Sequence, residues 1–98
     1  MFNQGDWVYG IDEYKDERFL TYAFVVASIG RFYICTEQIN KEDESKNVKD
    51  IIESIYERYR YNGDFRDSEI VMLKKENTFA TEQEAREVLK VMKNESNV

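Results

Sequence analysis

The densest chemistry in the chain lies between Tyr56 and Arg66, where Tyr-Glu-Arg-Tyr-Arg-Tyr-Asn-Gly-Asp-Phe-Arg places three tyrosines and three arginines in eleven positions. Tyrosine buries a large rigid ring and arginine offers a planar fork of donors, so the two are enriched where one molecule grips another. A tyrosine ring can also stack on a nucleobase while an arginine holds its phosphate. Arg58, Tyr61, Phe65 and Arg66 are therefore the candidate ligand- or partner-binding group. Tyr56 and Tyr59 also continue the apolar face of a helix, with Arg58 and Arg60 beside it. Within the segment, only Tyr61, Phe65 and Arg66 lie past that helix, with no packing role to explain them.

The acids gather elsewhere. Asp12, Glu13, Asp16 and Glu17 surround the first turn, and Glu42, Asp43 and Glu44 crowd a linker. With Asp50, Glu53 and Glu57 on the polar side of the following helix, the linker acids make a candidate acidic face: Glu42, Asp43, Glu44, Asp50, Glu53 and Glu57. Such a stripe either mimics nucleic-acid phosphate and blocks a basic groove, or simply keeps a small protein soluble. The acid spacing does not follow a calcium-loop pattern, and no glycine stands at the turn such a loop needs.

Composition removes most catalytic classes. The chain of 98 residues has no histidine, no proline and a single cysteine, Cys35. Without histidine, the Ser-His-Asp and Cys-His nucleophile systems cannot be assembled, nor can the usual zinc sites. Paired carboxylates can exchange protons without histidine, but nothing in the sequence singles out one pair. Cys35 sits mid-strand between Ile34 and Thr36, where a core thiol is expected. No catalytic residue, metal ligand or cofactor is assigned. One cysteine cannot close an intrachain disulfide, the start Met-Phe-Asn-Gln-Gly-Asp lacks the basic and apolar runs of a signal peptide, and Ala23 to Ala27 is too short to span a bilayer. These features predict a cytoplasmic protein with no membrane partner. The net charge of −6 is shared evenly, since residues 1–40 carry 6 acids and 3 bases and residues 41–98 carry 14 and 11. Direct binding to a nucleic-acid backbone is not expected from such a charge.

The elements that must position these groups follow from periodicity. Asp6 to Tyr14 is aromatic and β-branched and predicts a strand, and Asp12 to Glu17 reads as a turn. Arg18 to Ile29 is apolar on both faces, as a strand covered on each side would be. Gly30 breaks this run and Arg31 to Gln38 resumes it, which predicts a hairpin turning at Ser28-Ile29-Gly30-Arg31. Trp7 reads as a core anchor packed against a helix. Asn40 to Lys46 is a charged linker without apolar residues. Val48, Ile51, Ile52, Ile55, Tyr56 and Tyr59 then recur at helical spacing, with Ser45 or Asn47 as N-cap and Asn62-Gly63 as the stop. Glu69 to Lys75 predicts a short strand. Thr81-Glu82-Gln83-Glu84 spells a capping box, and Ala85, Val88, Leu89 and Met92 form the stripe of a second, shorter helix that frays from Asn94. The predicted order is β-β-β-α-β-α: a single α+β domain over residues 1–98, a small antiparallel sheet with two amphipathic helices.

Gly5-Asp6-Trp7-Val8-Tyr9 resembles the Gly-Asp-x-Val-Tyr opening of small uncharacterised proteins from Gram-positive bacteria and their phages. Phe79-Ala80-Thr81-Glu82-Gln83-Glu84-Ala85 resembles their closing Phe-x-Thr-x-Glu-Glu-Ala helix start, although Gln83 replaces an acid and residues 40–62 form a charged insertion. The opening is also similar to the first strand of SH3-like barrels. The resemblance implies a phage-type origin and a partial SH3-like barrel, and it carries no catalytic residue.

Acidity, small size and a Tyr/Arg-rich segment together predict a non-enzymatic protein that occupies the surface of a host or phage protein, in its sharper form a nucleic-acid-handling or defence enzyme. The alternative is a small-molecule binder that sequesters a signalling nucleotide through Arg58, Tyr61, Phe65 and Arg66. Open sheet edges and short amphipathic helices predict a homodimer.

Overall fold

A computed structural model describes residues 1–39, 41–62 and 70–96, with side chains omitted at 58–62 and 96. Five strands and two helices follow in the order β1 (Trp7–Tyr14), β2 (Glu17–Ile29), β3 (Phe32–Thr36), α1 (Val48–Asn62), β4 (Ile70–Lys74), β5 (Thr78–Phe79) and α2 (Glu82–Ser96). The strands form one sheet in the order β4-β3-β2-β1-β5, antiparallel throughout. The domain is α+β. Two details differ from the expected order. A two-residue strand, β5, pairs Tyr9 with Phe79 and Gly10 with Thr78, giving five strands rather than four. The second helix equals the first in length, 15 residues each, and stays helical through Ser96. Its last turns hold no helix breaker, and Arg18 Nη1 donates to the Met92 carbonyl at 3.3 Å, tying this end of α2 to the first hairpin.

Both hairpins turn on two residues. Tyr14 pairs with Glu17 across Lys15 and Asp16, whose φ angles of +50° and +66° give the doubly left-handed turn that matches strand twist. At the second hairpin Ile29 pairs with Phe32 and Gly30 takes φ +56°, which glycine adopts without strain. The helix starts are capped as their sequences imply. The Asp50 backbone N–H donates to Asn47 Oδ1 at 2.9 Å, which makes Asn47 the cap of α1. The Glu84 backbone N–H donates to Thr81 Oγ1, while the Glu84 carboxylate accepts the Thr81 hydroxyl at 2.9 Å.

Alternation assigns each strand residue to one of two faces. The inner face holds Val8, Ala23, Val25, Tyr33, Cys35 and Leu73, all buried, with Phe2 and Val71 packed against them. Small residues let the sheet curl tightly here. Leu73 of β4 lies against Gly10 of β1 although two strands separate them, and a Cβ at Gly10 would stand 2.5 Å from Leu73 Cδ1. The N-terminal segment closes this side. Its Phe2 N–H donates to the Tyr33 hydroxyl at 3.0 Å, Gly5 N–H to the Val25 carbonyl at 2.9 Å, and Gln4 Nε2 to the Val26 carbonyl at 3.0 Å. Val26 sits where the β2–β3 register slips, so Gln4 satisfies a carbonyl at the bulge. The outer face packs Phe24 and Val26 against Ile51, Ile52 and Ile55 of α1, with Ile39 alongside.

Candidate functional site

α1 covers one end of the outer face, and beyond Tyr9 the outward Ile11 is buried as well, with α2 packed against β1, β2 and β5. In β1 and β2, Trp7 pairs with Phe24 and Tyr9 with Tyr22, so all four rings project from this face. Phe24 is buried beneath α1, whereas Trp7 is 39% exposed and Tyr22 49% exposed. The rings form a continuous row. Tyr9 and Tyr22 have centroids 4.5 Å apart, Tyr22 and Trp7 stack at 5.0 Å, and Trp7 meets Phe24 edge-on at 5.7 Å. Cross-strand aromatic pairs of this kind stabilise a sheet by about 0.5–1.5 kcal/mol beyond the area they bury. They also hold half-exposed rings in fixed positions, which suits a contact surface.

Trp7 is thus not the core anchor under a helix that its type suggests. The three buried residues of α1 meet Phe24 and Val26, and the helix leaves the next strand over uncovered. The alternation Trp7, Tyr9, Ile11 against Val8, Gly10, Asp12 carried this information. The second set is small enough for a tight inner face, which sends the aromatic set outward.

Beside Trp7 opens a cleft of about 720 Å³ between the outer face and the segment leading into α1. Trp7, Phe24, Ile39 and Ile51 supply its apolar lining, and Glu37, Gln38, Lys41 and Glu44 its polar lining. Of these, only Glu44 belonged to the sequence-derived sites. The others come from β1, β2, the linker and α1, and only folding brings them to one wall.

The expected acidic face is present in part. Glu42, Glu44, Asp50, Glu53 and Glu57 are exposed. Asp43 is the exception and corrects the prediction. It is 3% exposed, accepts the Ser54 hydroxyl at 2.8 Å, and pairs with Lys46 Nζ at 2.7 Å. The short 3-10 turn Lys41–Asp43 points this carboxylate inward to brace the linker against α1, so Asp43 is a strut rather than a contact residue. Its charge also holds the exposed Lys46 ammonium above its ordinary pKa, by the hydrogen bond first and the charge second. Asp50 has a local role as well, since Asn47 Nδ2 donates to its carboxylate at 3.1 Å.

The Tyr/Arg group stands differently. Arg58 and Tyr61 lie in the last turns of α1, where only the backbone is described, and Phe65 and Arg66 lie outside the described residues. Tyr56, which helical spacing puts on the apolar face, is 46% exposed.

Two titratable groups depart from ordinary behaviour. Burial pushes the Cys35 thiol up to about 12, which keeps it protonated and unreactive near neutral pH. Burial also raises the Asp12 carboxyl. The Glu13 backbone N–H that it accepts opposes the shift, and the charges of Glu37 and Glu13 add to it. Glu37 in turn accepts the Thr21 hydroxyl at 2.8 Å, so Thr21, Glu37 and Asp12 cluster where the inner face opens. Among the described residues, no group of three or more histidine, cysteine or acidic side chains is placed to hold a metal ion. No described helix is long and apolar enough to cross a membrane. The chain matches no protein-family model, no curated protein and no solved structure.

Proposed function

We propose that this chain is a non-enzymatic binding protein that acts by occupying the surface of a protein partner, and that the Tyr9–Tyr22–Trp7 row with its cleft is the contact. The observation that carries the reading is the pair Trp7 and Tyr22, stacked at 5.0 Å and each between a third and a half exposed, beside a cleft that Trp7 lines. Rigid aromatics with open edges lose little conformational freedom on binding, which is why Trp and Tyr dominate binding hot spots. The exposed acids Glu42, Glu44, Asp50, Glu53 and Glu57 lie in the linker and α1, and Glu44 among them lines the cleft. They favour a partner with a basic surface, and the acid excess speeds the encounter. A nucleic-acid-handling or defence enzyme of a phage-infected cell is the partner class that fits this charge best.

The test is capture of partners on the tagged protein, run with the wild type and with the Trp7→Ala, Tyr22→Ala double variant. One stoichiometric partner that the wild type retains and the double variant loses supports the reading. Equal retention by both moves the contact elsewhere, and recovery of no partner across salt conditions rejects it.

A further inference from the structure

We propose that a second copy of this chain adds to the open edge of β4, antiparallel and centred on Met72, so that two five-stranded sheets continue as one. This goes beyond the contact on the aromatic row, which lies on β1 and β2 and stays free in each copy.

The sheet has two edges, and they differ in length. β5 has two residues, whereas β4 spans the five of Ile70–Lys74, and no described strand pairs with its far side. The ladder with β3 fixes which backbone groups stand open there. Lys75 N–H donates to the Arg31 carbonyl at 2.8 Å, and the register runs on as Phe32 with Lys74, Tyr33 with Leu73 and Ile34 with Met72. Bonded and non-bonded pairs alternate along an antiparallel ladder. Val71 and Leu73 therefore bond to β3, while Ile70, Met72 and Lys74 turn their N–H and C=O away from it. The chain claims one of these groups itself, since the Thr78 hydroxyl donates to the Lys74 carbonyl at 2.8 Å. No described group meets those of Met72, at the middle of the strand.

The side chains specify an apolar neighbour. Met72 is 54% exposed on the outer face, with Ile34 and then Ala27 beside it across β3 and β2, both half-buried. Ile29, 58% exposed, and Phe32 flank this row. An apolar row thus crosses two strands and ends on the open edge.

Charge sets the direction. One end of β3 and β4 holds Arg31, Lys74 and Lys75 against the single acid Glu76, and the other holds Glu37, whose charge reaches Asp12. Lys75 and Glu37 both lie toward the inner face: Lys75 Nζ stands 5.3 Å from the Tyr33 ring centroid, and Glu37 accepts the Thr21 hydroxyl. In an antiparallel copy the partner's Lys75 comes into register with Glu37, two strand spacings or roughly 10 Å away. A parallel copy would set lysine beside lysine.

A second β4 meets all three conditions. With Met72 opposite the partner's Met72, each N–H faces the other's C=O, the two apolar rows join, and Ile70 falls under the stem of the partner's Lys74. The two-fold axis closes the assembly at two chains.

Light scattering on the full chain, at concentrations up to about 1 mM, reads the mass. The wild type is expected at twice the 11.7 kDa of one chain. Met72→Lys and Met72→Glu each place like charges directly across the axis and should weaken the dimer about tenfold or more. Mixed in equal amounts they should recover a dimer, since lysine then faces glutamate. Met72→Cys under mild oxidant gives a second reading that keeps an uncharged side chain at the axis. It should form an interchain disulfide that Val91→Cys, at an equally exposed position, does not. A wild type that is monomeric throughout or forms a larger assembly overturns the proposal. So does a dimer that both charged variants retain, a mixture of the two that stays monomeric while each keeps the wild-type circular dichroism, or a Met72→Cys chain that couples no faster than Val91→Cys.

Discussion

The two faces of the sheet are built from neighbouring residues of the same strands and have opposite fates. On the inner face every described strand side chain of the cluster around Leu73 is at most 2% exposed, and the curl of the sheet alone brings β4 over β1. On the outer face α1 covers Phe24 and Val26 and Ile11 is buried, while Trp7 and Tyr22 between them stay half in water. One face carries small and branched residues, the other large rings. The difference separates two uses of hydrophobic surface: the inner face holds the fold together, and the exposed outer row is the part we propose as a contact. An aromatic row that served only stability would be expected under the helix, not beside it.

Substitutions can break this contrast, and the largest effects should come from the inner face. Leu73→Ala should lose about 2–5 kcal/mol in denaturant melts, because a fully buried leucine leaves a cavity. Gly10→Ala should lose about 1–3 kcal/mol through the clash with Leu73. Combined, the two should lose clearly less than their sum, since the shortened side chain makes room for the new methyl. Strict additivity would mean that β4 does not close over β1. Next comes the strut beneath the cleft. Asp43→Ala should cost about 1–3 kcal/mol by stranding the Ser54 hydroxyl, whereas Glu42→Ala beside it should be nearly silent in the same melt. The outer face follows. Trp7→Ala should lose about 1–2 kcal/mol, less than a buried tryptophan, because much of its surface is already wet. A loss as large as that of Leu73→Ala would return Trp7 to the core and remove the reason to treat the row as a contact. The smallest effect is at Asp12, at the rim of the inner face. Its carboxyl holds a proton more tightly folded than unfolded, so the wild type loses stability as pH rises through the folded value. Asp12→Asn should therefore melt higher than the wild type near neutral pH, and the gap should close as pH falls below the ordinary aspartate range. A gap that widened on acidification would show that the carboxylate is stabilising.

Much of the scaffold could be read from the chain because its signals are local. Gly30 between apolar runs gave a hairpin, Thr81 and Glu84 gave a helix start, and Ile51, Ile52 and Ile55 marked the buried stripe of α1. Cys35 between apolar neighbours was buried as its position implied. What escaped depended on distant partners. Thr78–Phe79 is too short for any periodicity and becomes a strand only because β1 offers it a free edge. Asp43 looked like one more surface acid until Ser54 of the next helix and Lys46 of the linker met it. The Lys15-Asp16 turn has no glycine to announce two left-handed residues. The cleft was the least legible feature, because its wall draws on β1, β2, the linker and α1 at once. An aromatic residue in a strand carries no local mark of which face a helix will cover, and that single fact decides the role of Trp7.

The pairing of Tyr9 with Phe79, and the seating of Leu73 against Gly10, have a consequence for how the chain comes off the ribosome. The hairpins of β1, β2 and β3 can zip as soon as residue 36 emerges, since their partners are near in sequence. Their inner face then has only the N-terminal segment for cover until Leu73 arrives, and β1 keeps a bare edge until residue 79. The nascent hairpins must therefore wait through most of α1 and β4 with Val8, Ala23 and Val25 open to other chains. That long-range closure makes the middle of synthesis, between the third strand and the fifth, the aggregation-exposed stage of folding.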